Sequence, residues 1–127
     1  MKKGFKEDIE KLTVENTDFR RVLYTGKHSQ IVLMSLKPGE EIGLETHENV
    51  DQFFRIEQGT GEIVINGNKK PVKDGSAIVV PAGSEHNLIN TGETYLKLYT
   101  IYSPPNHPES TIHKTKEEAL EYEKFHH

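Results

Sequence analysis

Apolar and polar residues alternate in short runs along this chain, and turn-forming residues break the runs at close intervals. Residues 52–58 show the pattern most cleanly: Gln52, Phe54 and Ile56 share one face, while Phe53, Arg55 and Glu57 share the other. The second face carries two charges, so the first is expected to point inward. It takes the polar Gln52 with it, and a buried amide asks for a partner. Phe19–Tyr24 and Gln30–Leu36 read as earlier strands. The second of these is apolar on both faces (Ile31 and Leu33; Val32, Met34 and Leu36), as in a strand covered on both sides. Lys37-Pro38-Gly39-Glu40 makes a turn into a short strand at Ile42–His47. Glu62–Ile65 and Lys70–Val72 flank Asn66-Gly67, a strong hairpin signal. Ala77–Val80 and His86–Ile89 follow, on either side of the Pro81-Ala82-Gly83 turn. Tyr95–Tyr102 is the last long strand; Lys97 marks its outward face, so Leu96, Leu98, Thr100 and Tyr102 point inward. Beyond the proline-rich loop Ser103–Pro108, Thr115 with Glu118 forms a capping box for a short helix at about Lys116–Lys124. Nine or ten short strands with turns this close predict an all-β, double-sheet jelly roll. The expected layout is an N-terminal arm or short helix over 1–18, a barrel over 19–103, and a C-terminal loop and short helix over 104–127.

Length and composition narrow the picture. A chain of 127 residues suits one domain. Only 33% of it is hydrophobic, so most strands must feed the core, and subunit pairing would help. Val32, Met34, Phe53, Tyr99 and Ile101 look too apolar for an open barrel surface, which predicts a homodimer that covers part of that face. The net charge is −4 and the basic residues are scattered, so there is no stripe for nucleic acid. The absence of cysteine excludes disulfides and thiolate ligands. No apolar run approaches the ~20 residues of a membrane helix, and the charged N-terminus lacks the apolar segment of a secretion signal. The expectation is a soluble cytoplasmic protein with no membrane partner. His126 and His127 read as a tag remnant and are set aside.

The chemistry gathers around four residues. Strand parity puts Glu45 and His47 on one face, Gln52 follows across a short turn and points inward, and His86 follows a turn that aims it at a fixed place. Two imidazoles, a carboxylate and an amide oxygen are reasonable ligands for a divalent first-row metal.

Two segments carry a family resemblance. Gly39, Glu45-Thr46-His47, Gln52 and Gly59 have the spacing of the first cupin motif: a glycine, His-x-His five residues on, then Glu and a second glycine. Gly75, Pro81, Gly83, His86 and Asn90 match the second motif in full. The chain thus resembles a small single-domain cupin of the cupin-2 type, a form often labelled phosphomannose-isomerase-like, which describes the fold more than the activity. The resemblance implies a cupin barrel, a homodimer, and a metal site at the barrel mouth, usually of three His and one Glu. Here Glu45 stands where the family has its first His, and Gln52 where it has its Glu. The ligand charge is unchanged, which reads as a rearranged site for one divalent ion (Fe, Mn, Zn or Ni). Two His with one carboxylate also resembles the facial triad of non-haem Fe(II) sites.

Each residue has a plainer reading. His47 and His86 could be half-buried imidazoles satisfied by backbone groups, though their motif positions favour ligation. Gln52 could instead hydrogen-bond a ligand, and Glu45 could act as a general base or pair with a lysine. Phe54 and Leu98 are core residues that could also line a pocket, and Tyr102 is either a pocket hydroxyl or a buried tyrosine bonded to backbone. By base rate His107 and His113 are expected at the surface, the alternative being that one of them reaches the barrel mouth. Two functional classes remain. One is a metal-dependent enzyme acting on a small oxygenated molecule, of isomerase, (di)oxygenase or lyase type. The other is a non-enzymatic module that binds a small, sugar-like molecule and holds a structural metal. A polar pocket with open coordination positions favours the first; a closed shell without a cavity favours the second.

Overall fold

In a computed structural model, which describes residues 3–125, the chain folds into ten strands and two helices. Met1, Lys2, His126 and His127 lie outside the described residues. The strands are β1 (Arg20–Thr25), β2 (Gln30–Leu36), β3 (Glu45–Thr46), β4 (Asp51–Gln58), β5 (Thr60–Ile65), β6 (Asn68–Lys73), β7 (Ala77–Val80), β8 (Glu85–Asn90), β9 (Leu96–Ser103) and β10 (Ile112–His113). They form a six-stranded sheet in the order β10-β1-β2-β9-β4-β7 and a four-stranded sheet in the order β3-β8-β5-β6. All the pairings are antiparallel, as in a jelly roll.

The inner face of the larger sheet is set by the β2–β9–β4 ladder. Val32, Met34 and Leu36 oppose Thr100, Leu98 and Leu96, and Phe54 and Ile56 oppose Thr100 and Leu98 from the other side. All of these are buried, and with Leu88 and Ile63 from the smaller sheet they make the core. Val32 and Met34 therefore do not belong to the outer face where a subunit contact was expected; both are 0% exposed in the barrel interior. Since β2 is apolar at nearly every position, alternation alone cannot choose its inner face, and pairing with β9 decides it. The outer face near the middle of that ladder carries Ile31, Phe53, Tyr99 and Ile101, all half-buried.

Local chemistry holds the turns. Asn66 and Gly67 both have positive φ (48° and 82°), as the tight β5–β6 hairpin demands. At Gly61 the limit is space: a Cβ there would lie 2.5 Å from the Ile89 carbonyl oxygen of β8. Asn90 donates to the Leu36 and Thr94 carbonyls and accepts from the Gly92 N–H, clamping the end of β8.

Both flanking segments pack onto the barrel. Helix α1 (Ile9–Glu15) is capped by Asp8, whose side chain accepts from the Lys11 N–H. The helix segment covers part of the outer face, so Lys97 is outward but not open: it is 8% exposed and donates to the Asn16 carbonyl. Helix α2 (Lys116–Phe125) begins as expected, with the Glu118 N–H bonded to Thr115 Oγ1. Between barrel and α2, β10 adds to the edge of the larger sheet, with Arg20 opposite His113 and Arg21 opposite Ile112.

Candidate functional site

Glu45 and His86 are direct neighbours across the β3–β8 ladder, and His47 follows one residue after β3. The Gly83 N–H bonds the His47 carbonyl at 2.8 Å, tying that residue to the turn that presents His86. The two imidazoles are 5.5 Å apart between ring centroids. His86 Nδ1 faces the Ser84 carbonyl at 3.1 Å, so that nitrogen is the donor and Nε2 is the one left for another partner. Gln52 enters from β4, opposite Tyr102 of β9, and its Nε2 donates to Thr100 Oγ1 at 3.0 Å.

Two polar atoms here have no hydrogen-bond partner. Gln52 Oε1 is buried without a donor, and His47 Nε2 is buried off the line of a hydrogen bond, although Glu45 Oε2 is only 3.2 Å away. Burial pushes the Glu45 carboxyl up. The contact with His47 and the positive charge of Arg20 outweigh burial and hold it below its ordinary value. As they stand, no three His, Asp or Glu side chains among the described residues converge tightly enough to grip an ion. The donor types nevertheless suit one: the His47 imidazole and the Glu45 carboxylate side by side, a second oriented imidazole at His86, and the Gln52 amide oxygen, which has no donor.

Beside these residues opens a cavity of about 570 Å³, with Glu45 and His47 in one wall. Phe54, Leu98 and Tyr102 are not among its lining residues. Phe54 and Leu98 are 0% exposed in the core; Phe54 meets His86 edge-on, and Tyr102 meets His47 the same way. Ile42, Gly43, Leu44 and Thr46 flank Glu45 and His47, and the far wall comes from Arg20 and the C-terminal segment, including His107, His113, Leu120, Tyr122 and Glu123.

His113 is 5% exposed and His107 is half-buried, so neither is the surface residue that the sequence predicts. The reason for His107 is Gln30, which is fully buried at the start of β2. Its Oε1 accepts from the Asn106 and His107 N–H groups and its Nε2 donates to the His107 carbonyl, pinning the loop across the barrel. His107 Nε2 then reaches the Tyr102 hydroxyl at 3.3 Å. Burial, reinforced by Arg20, lowers the His107 pKa to about 3, so the ring is neutral and can accept from Tyr102. Burial raises the Tyr102 hydroxyl far above its ordinary pKa, which keeps it a donor. Sequence reasoning missed Arg20 altogether. The only signal for these residues is their polarity within otherwise featureless segments.

A jelly roll with a cavity lined by both apolar and ionisable side chains defines a class of small-molecule-binding barrels. The cupin domain model matches residues 32–102, more than half of the chain, and the chain belongs to that family. It is 56% identical over 124 residues to the uncharacterized protein YrkC of Bacillus subtilis, covering 93% of this chain and 67% of that protein. The crystal structure of BH2720 from Bacillus halodurans superposes with a TM-score of 0.92 at 46% identity, covering 94% of this chain and 95% of that one. An oxalate-binding protein of Thermotoga maritima is 34% identical over 68 residues, 54% of this chain and 56% of that protein. No helix among the described residues is long and apolar enough to cross a membrane.

Proposed function

We propose that this cupin holds one divalent metal ion on His47, His86, Glu45 and Gln52, and that it acts on a small oxygenated molecule admitted through the adjoining cavity. The observation that carries this reading is the gathering of Glu45, His47 and His86, with His47 Nε2 3.2 Å from Glu45 Oε2 and Glu45 opposite His86, together with Gln52 Oε1, which is buried without a donor. A buried acceptor without a donor costs about 1–3 kcal/mol, and a cation is the partner this donor set suits. A bound ion would supply a Lewis acid for a carbonyl or enediolate oxygen, or a redox centre if it is iron. The chain's own part is to orient His86 through Ser84 and to keep Tyr102 and His107 neutral. Glu45 serves as ligand, or as general base if it is left unbound. The open cavity favours an enzyme over a module with a closed structural site. A Thermotoga relative named an oxalate-binding protein supports a small-molecule ligand, and the family resemblance supports a homodimer.

Metal analysis of the purified protein tests the site. We expect close to one equivalent of a first-row divalent ion in the parent and a sharp loss in His47→Ala and His86→Ala. Full metal content in both variants, or none in the parent after growth with added Mn²⁺, Fe²⁺ and Zn²⁺, would defeat the reading.

A further inference from the structure

Arg20 is the first residue of β1, is 3% exposed, and lines the same cavity as Glu45 and His47. Its guanidinium pairs with no carboxylate among the described residues. Nη1 reaches only the His113 ring nitrogen Nδ1, at 3.5 Å, and Nε has no partner. The Phe19 ring lies 5.4 Å from the guanidinium carbon. Burial and the charge of Arg20 hold the His113 imidazole below its ordinary pKa, so it is a neutral neighbour and does not answer the charge.

A buried cation is normally paired, because desolvation makes an isolated one costly. The nearest compensation is through space: Arg20 lowers the pKa of Glu45 without touching it. From this we infer that Arg20 anchors a carboxylate group of the molecule the cavity receives. The inference rests on the proposed function only for what meets the ligand's other end, at Glu45 and His47. A guanidinium fork matches carboxylate and phosphate alike, but apart from the proposed metal ion the cavity wall carries two carboxylates, Glu45 and Glu123, against one guanidinium, that of Arg20. That charge balance favours a carboxylate over a phosphate dianion.

Isothermal titration of the intact protein, metal-loaded and chelator-treated, with oxalate, malonate, succinate, malonamide and inorganic phosphate tests this. At least one dicarboxylate should bind tenfold or more tighter than both malonamide and phosphate, and the preference should survive chelation. Arg20→Gln should abolish the preference and leave metal content unchanged. Arg20→Lys, which keeps the charge and loses the fork, should retain part of it. If Arg20→Gln does not fold, the parent's preference and its reduction in Arg20→Lys decide the matter. No dicarboxylate preference in the parent, stronger binding of phosphate, or a preference unaltered in the Arg20 variants would overturn the inference. Metal content, read in parallel, separates the two ideas. A preference in a protein that binds no metal leaves the Arg20 subsite standing and removes the metal reading. Bound metal without a preference does the reverse.

Discussion

If Gln52 is kept polar for a ligand, removing it together with its partner should make the metal-free protein more stable. Gln52 is 3% exposed and Thr100 is 0% exposed, and one hydrogen bond joins them while Gln52 Oε1 has no donor. The orphaned acceptor costs about 1–3 kcal/mol, and the hydrogen bond returns about 1 kcal/mol. In Gln52→Met/Thr100→Val both terms vanish at nearly constant volume, for a net gain of about 1 kcal/mol. For a domain of this size that raises the midpoint by roughly 3–6 °C. Tyr102, opposite Gln52, loses its side-chain contact with Gln52 but keeps His107 as a partner. Gln52→Met alone should gain nothing, since it strands Thr100 Oγ1. Added metal should reverse the order: at a concentration 100 times Kd the parent gains about 2.7 kcal/mol, and the double variant, short of one ligand, gains less. Thermal and urea unfolding with chelator and with Mn²⁺ or Zn²⁺ measure both effects. A double variant less stable than the parent in chelator, with an equal response to metal, would refute the reasoning.

Three further outcomes follow from the same contacts. The His107 pKa falls from 6.5 to about 3 on folding, so below pH 6.5 the unfolded chain takes the proton first. Stability from this group is complete above that pH and declines by up to ~1.4 kcal/mol per unit as pH falls. His107→Gln should have a shallower stability slope between pH 6.5 and 4.5 in urea unfolding, and an unchanged slope contradicts the assignment. Gly61→Ala should destabilise by about 1–3 kcal/mol, because its Cβ would lie 2.5 Å from the Ile89 carbonyl oxygen and 3.0 Å from Leu96 Cδ2; an unshifted urea midpoint would show that β5 and β8 part without cost. Light scattering should find a dimer that Phe53→Lys disperses, since Ile31, Phe53 and Ile101 stand together on the outer face; a monomeric parent at high micromolar concentration removes that interface.

The barrel was legible because its signals are local. Alternation in β4, Asn66-Gly67, and the spacing from Gly75 to Asn90 each act within a few residues, and each coincides with a strand or turn of the structure. That Glu45, His47 and His86 meet was legible for the same reason, by parity and motif spacing. The far wall of the cavity was not. Two-residue β10 has no period to detect, and Arg20 next to Arg21 gives no sign of which guanidinium is buried. His107 owes its position to Gln30, 77 residues away in sequence. The covering of Lys97 by α1 likewise depends on docking, which composition does not encode.

The β5–β6 hairpin has a consequence for life in a crowded solution. β6 is the outermost strand of the smaller sheet, and its free backbone edge is a template on which another chain could lengthen the sheet. Its sequence is Asn68-Lys69-Lys70-Pro71-Val72-Lys73, with every residue exposed except Val72. Three lysines would have to be stacked against a newcomer, and Pro71 offers no N–H to continue a ladder. At the end of the larger sheet, β7 has no such guard, and Val79 stands 63% exposed there. Misassembly under heat or at high concentration should therefore begin along β7, and a lysine at position 79 is the change that would give both sheets the same protection.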